Sequence, residues 1–268
     1  MSRKSLAVVV LVLWAAGLGW MLRRNLRSDS TRRLTEAAVR IEPARYYYDV
    51  SYRGQKIGAA SSAIDTLVKG LESDDYFTGR FPSGDSLLPV SARMRTRLTR
   101  GLRLTALSID FNHGRNTSIS ARVEADSVLL VTQRENGRPA VTRAITLDSP
   151  LITPTLIGIP LILGDRPKLG RSERLAVFDP VTSSVASHGL EIVAESLFTV
   201  VDSAARNESG VWYAAHSDTV RGWRVGGETR RLIVWLDGEG RILQASTPNS
   251  VALRRTAYEL AFNKAKEK

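Results

Sequence analysis

The chain has 268 residues, a net charge of +11 at pH 7 and no cysteine, which excludes disulfides, thiolate catalysis and cysteine-held metals. The basic excess sits at the two ends: residues 1–45 carry +6 and residues 254–268 carry +3, leaving +2 for the long middle. A nucleic-acid binder would place its cations on the folded module with aromatics between them, so nucleic acid is excluded as a partner.

Residues 6–22 form an unbroken apolar run between Arg3-Lys4 and Arg23-Arg24. As a helix the run spans about 25 Å, the lower limit for crossing a bilayer core. A cleaved signal peptide would have a shorter apolar core ending at a small-residue site. Here Ala15, Ala16 and Gly17 lie inside the run, and Trp20 and Met21 lead directly to Arg23. Residues 1–24 are read as an uncleaved, single-pass transmembrane signal-anchor, with membrane lipid as the partner of residues 6–22. Residues 25–45 follow as a basic juxtamembrane stalk, interrupted at Pro43. Anionic headgroups attract such a segment by about 1 kcal/mol per Lys or Arg near the surface.

Residues 46–268 are expected to form a mainly β domain. Tyr46, Tyr48, Val50 and Tyr52 recur at period two, Arg53-Gly54-Gln55 supplies a turn, and Ile57 to Leu67 returns, which together predict a β-hairpin. Leu102 to Phe111 and Thr117 to Val123 suit strands, as does the short piece Arg95 to Leu98. Ser127 to Arg134 and Ala140 to Leu147 flank Asn136-Gly137, the strongest short hairpin signal. Further strands are expected at Arg174–Phe178, Leu190–Val201, Gly210–Ser217, Gly222–Val225, Thr229–Leu236 and Arg241–Ser246, the last two joined by Asp237-Gly-Glu-Gly240. The series predicts an antiparallel sheet wrapped into a sandwich or partial barrel.

Two segments depart from this pattern. Thr153 to Gly164 opens with Thr153 as N-cap and Pro154 at the first helical position, and its Leu156, Ile157, Ile159 and Leu161 predict a short apolar helical plug. Such a plug closes the core or meets a lipid or protein partner. Ser250 to Lys266 places Leu253, Ala257, Leu260 and Ala261 on one face and predicts a C-terminal amphipathic helix.

No reaction is indicated. His113, His188 and His216 are too widely spaced for a metal motif, and no nucleophile elbow or phosphate-binding loop occurs. Asp74-Asp75 and Asp237 with Glu239 read as solvated turn acids. Neither a cofactor nor a metal is expected. Trp212, Trp223 and Trp235 fall at strand positions, where they fill the core or contact an apolar or sugar ligand.

The segments Tyr48-Asp-Val-Ser-Tyr-Arg-Gly-Gln-Lys-Ile-Gly58, Phe178-Asp-Pro-Val-Thr182, Trp235-Leu-Asp-Gly-Glu-Gly-Arg-Ile-Leu-Gln244 and Ala252 to Phe262 occur in that order. The series resembles the β-rich extracytoplasmic domain found ahead of the catalytic domain in some bacterial transglutaminase-like proteins, and is similar to uncharacterised envelope domains with a wrapped sheet. The resemblance implies an accessory domain; without a cysteine, no catalytic residue carries over. The two sides of residues 6–22 give conflicting orientations. Arg23, Arg24, Arg27, Arg32 and Arg33 favour a cytoplasmic domain, whereas Arg3 and Lys4 supply an n-region and the charge rule weakens for long translocated domains. With the resemblance, the reading adopted is an extracytoplasmic, periplasmic domain on the inner membrane.

The function expected is that of a non-enzymatic, membrane-anchored β domain binding a protein partner or cell-envelope component. The alternative is a carrier or sensor of a lipid or other apolar ligand in the curled sheet. Leu156, Ile157, Ile159, Leu161, Trp212, Trp223 and Trp235 are the candidate contacts.

Overall fold

A computed structural model describes residues 41–83, 86–125, 127–148, 151–162, 167–180, 182–227, 233–248 and 250–263. The expected signal-anchor and most of the stalk lie outside these residues. Among the described residues no helix is long and apolar enough to cross a membrane.

The fold is mainly β. The first half of the chain is a meander of eight strands: β1 (Ala44–Tyr52), β2 (Gln55–Leu67), β3 (Gly70–Ser83), β4 (Ser86–Thr99), β5 (Leu104–Asn112), β6 (Asn116–Glu124), β7 (Val128–Glu135) and β8 (Val141–Thr146). The second half contains β9 (Leu151–Ile152), β10 (Ser172–Asp179), β11 (Ser184–Arg206), β12 (Trp212–Gly227), β13 (Ile233–Leu236), β14 (Ile242–Ser246) and β15 (Val251–Thr256). All fifteen form one open sheet, running from β8 back to β1, then β15, and on down to β9. Every pairing is antiparallel except β9 with β10. β1 starts at Ala44, two residues before the first of the alternating tyrosines, and Ile41 is already in the core.

The first expected hairpin forms because Arg53 and Gly54 both take positive φ, 50° and 82°. That two-residue turn matches the natural twist of the strands it joins. The Asn136-Gly137 connection is looser, with only Gly137 at positive φ and a loop that runs to Ala140. The expected strands 210–217 and 222–225 merge into the single strand β12, which begins at Trp212. His188 lies within β11 and pairs with Leu175.

The sheet curls. One apolar cluster contains Leu98, Leu107, Ile119 and Leu129 from the first half together with Leu151, Ala176 and Phe178 from the far end of the strand order. The two edge strands β8 and β9 are consecutive in sequence, so their facing ends, Thr146 and Leu151, are at most about 18 Å apart.

The plug is present in two pieces, a 3₁₀ turn at Pro154–Leu156 and α1 at Gly158–Ile162. Thr153 occupies the N-cap position but makes no capping hydrogen bond through its side chain. Leu156 and Ile159 join the main cluster, whereas Leu161 and Ile162 join a second one with Ile192, Trp223, Val225 and Leu236. The plug thus connects the two halves of the sheet.

The expected C-terminal helix starts later than Ser250, and residues 264–266 of it lie outside the described residues. Residues 251–256 are strand β15, held between β1 and β14, and among the described residues α2 (Tyr258–Phe262) is the helical part. Tyr258 and Phe262 of α2 pack edge-on against Tyr47, at 5.0 and 6.1 Å between ring centres.

Candidate functional site

Two arrangements of polar side chains stand out, one inside the curled sheet and one on its outer surface. The inner one begins with strand register. Ser62 of β2 faces Asp75 of β3, and Ser73 precedes Asp75 by two positions on the same side. Ser62 Oγ donates to Asp75 Oδ1 at 2.5 Å, and Ser73 Oγ to Oδ2 at 2.9 Å. Thr155 Oγ1, from the plug, donates to the same Oδ2 at 2.8 Å. Parts of the Asp75 residue remain accessible, but its carboxyl is enclosed, and burial pushes its pKa above the usual carboxylate value against the pull of the three hydroxyls. Tyr48, buried nearby on β1, has its phenol pushed upward chiefly by burial as well.

A charged pair lies next to the plug. Arg255 of β15 and Asp237 are both buried and joined by Nη1···Oδ2 at 2.8 Å. Arg255 Nε also donates to the Ile242 carbonyl, at 2.9 Å, and its guanidinium lies 4.1 Å from the centre of the Tyr46 ring. Asp237 Oδ1 accepts from the backbone N–H groups of Glu239 and Arg241, which fixes the turn. Gly240 takes φ +77° there, and a Cβ added to Gly158 of the plug would lie 2.2 Å from the Gly240 carbonyl oxygen. Only glycine permits this approach. The expectation of solvated turn acids is corrected for both Asp75 and Asp237: each is drawn inside by partners distant in sequence.

The outer arrangement is an open groove of about 720 Å³ across the ends of β3 to β7. Register builds it in two transverse rows. Tyr76, Arg93, Asp110, Ser118 and Arg134 lie opposite one another on successive strands. Ser91, Asn112 and Asn116 form the next row, extended by the N–H of Asn136 to the Asn116 carbonyl. Arg93 is fixed by two hydrogen bonds to Asp74, at 2.8 and 2.5 Å, and these hold the Asp74 carboxyl below its usual range. Arg138 pairs with Glu135 at 2.7 Å. Arg134 is exposed, and among the described residues its guanidinium has no ion pair or hydrogen bond.

No family model matches the chain, and no curated protein matches it. Among solved structures it is similar to the crystal structure of a β-barrel-like protein of a domain of unknown function, DUF1849, from Brucella abortus. The two share 12% identity at a TM-score of 0.52, over 81% of this chain and 95% of that one. The likeness is one of fold alone.

The residues singled out in the sequence are not gathered into one site. Leu156, Ile159 and Leu161 are buried inside, and Ile157 is half-buried against the second apolar cluster. Trp223 is buried in that same cluster, Trp235 packs on Phe198 at 4.9 Å, and Trp212 stands near the tip of the β11–β12 hairpin opposite Arg206. Of the histidines, His216 binds the Asp202 carboxylate through Nδ1 at 2.8 Å, which raises its pKa. Asp218 stands beside them, and ligand atoms of the three lie within 4.8 Å of one another on an exposed face. Exposed acids group in this way without an ion as well. Sequence reasoning missed the groove altogether, because its residues come from four hairpins and share no motif.

Proposed function

We propose that this chain is a membrane-tethered, non-enzymatic β domain that binds a component of the cell envelope, protein or polymer, through the outer groove. Residues 6–22 would hold it in the inner membrane with the domain on the periplasmic side, in the manner of the accessory domains it resembles. The observation that carries the reading is the contrast between a plugged interior and an open groove. The apolar plug residues face protein, while the groove is of the size usual for ligand sites and keeps an uncommitted guanidinium at Arg134.

Pull-down from detergent-solubilised membranes tests it. The wild-type chain should retain a reproducible partner after cross-linking, and a Tyr76→Ala, Arg134→Ala chain should lose it. Equal recovery by both chains, or none by either, would remove the groove from consideration. A reporter fused to the C-terminus should be active only in its exported form.

The carrier reading retains one supporting observation. Among the described residues, side-chain hydrogen bonds between the plug segment Thr153–Ile162 and its surroundings run from Thr155 to Asp75 and from Arg171 to the Pro160 carbonyl. A plug held by so few polar bonds could yield to an apolar ligand.

A further inference from the structure

The groove's chemistry narrows what it binds. Protein partners are usually held by aromatic or aliphatic anchors seated in desolvated pockets at the centre of the contact. This groove has no buried anchor pocket of that kind: its two rings, Tyr76 and Phe111, are each 37% exposed, and the lining between them includes Asn112, Asn116 and Asn136 with serine hydroxyls. Nor does the floor of the groove offer a free strand edge for a peptide, since Ser91, Arg93, Asp110, Asn112 and Ser118 are each paired on both sides. Short amide side chains present donors and acceptors together, which suits the hydroxyl and acetamido groups of a sugar. Tyr76, 37% exposed at one end, supplies a flat ring for the C–H face of a pyranose. The charges are unequal. Arg93 is held by Asp74 and lies beside Asp110, Arg138 is held by Glu135, and Arg134 is left unpaired. A guanidinium in that state is suited to a carboxylate, which it grips through two parallel hydrogen bonds.

We infer that the groove binds an acidic saccharide, with Arg134 on a sugar carboxylate, the three asparagines on hydroxyl or acetamido groups, and Tyr76 beneath a ring. This inference rests on the groove reading and specifies its ligand class.

The test is calorimetry on the full chain in detergent micelles with three probes: a tetrasaccharide alternating glucuronate and N-acetylglucosamine, neutral chitotetraose, and tetraglutamate. The acidic tetrasaccharide should bind at least tenfold more tightly than either of the others. Arg134→Ala should weaken it at least tenfold, whereas Arg221→Ala, which removes the same charge from β12, should leave it unchanged. Equal or tighter binding of tetraglutamate or chitotetraose overturns the inference. So does an equal loss on Arg221→Ala, which would mark general charge attraction, or no binding of the acidic tetrasaccharide. A protein recovered in the pull-down while no saccharide binds would sink the ligand class and leave the groove standing.

Discussion

Thr155 Oγ1 lies 2.8 Å from Asp75 Oδ2, joining residues eighty positions apart. It ties the plug to the inner wall of β3, at a carboxyl already held by Ser62 and Ser73. Replacing Thr155 with Val keeps the shape and removes the donor, and should cost about 1–3 kcal/mol. Denaturant midpoints will measure this. A double-mutant cycle with Asp75→Asn should show coupling; strict additivity would mean that the hydrogen bond contributes nothing.

Burial raises the pKa of Asp75 in the folded chain above its unfolded value. The sign follows from linkage: its contribution to stability is complete below the ordinary carboxylate range and is lost as pH rises through the raised folded value. Asp75→Asn removes that titration. The stability of wild type minus that of Asp75→Asn should therefore fall from acid towards neutral pH. A difference that stays flat, or that grows with pH, would show that the carboxyl is not titrating from a raised value.

The cluster of Ser62, Ser73 and Thr155 on Asp75, strand β3 and most of β4 escape the sequence for one physical cause. Ser73 and Asp75 face inward on β3, so the polar stretch Glu72-Ser-Asp-Asp lacks the apolar alternation by which half-buried strands are recognised. Only the Arg95–Leu98 end of β4 was legible, for a related reason: Arg93, Arg95 and Arg97 alternate outward, but Thr96 is polar and fully buried between them. The hairpin β1–β2, the β13–β14 turn and the existence of the plug were readable because their turn residues and apolar spacing are local. In the sequence Arg255 belongs to the basic segment 254–268. Nothing near it in sequence announces Asp237, its partner eighteen positions earlier.

Arg255→Met should leave the buried Asp237 carboxylate without its cation, a loss on the order of 3–5 kcal/mol. Adding Asp237→Asn should recover part of it, since the uncompensated charge is then gone. Thermal unfolding of the two variants decides the matter, and a single variant as stable as wild type would contradict a buried ion pair.

Gly158→Ala should undock the plug. Its new Cβ would meet the Gly240 carbonyl at 2.2 Å and Leu236 Cδ1 at 2.8 Å, and relieving such overlap costs typically 1–3 kcal/mol or more. Increased binding of an apolar dye, together with a lower unfolding midpoint, is the expected outcome. An unchanged midpoint would mean that the plug has room to move.

On the β11–β12 hairpin, the Asp202 carboxylate holds the proton on His216. The imidazole should titrate above the ordinary histidine value, and Asp202→Asn should bring it back down. The NMR shifts of that ring read this directly, and an identical midpoint in both chains would show the contact to be absent in solution.

The most direct test of a plugged interior with binding outside it is photo-cross-linking in intact membranes. A cross-linking amino acid is placed at Tyr76 in the groove in one chain, and at half-buried Ile157 in the plug in another. The account predicts a reproducible envelope adduct from position 76 and none from position 157. A lipid adduct from position 157, with position 76 silent, would contradict it and make the chain a carrier.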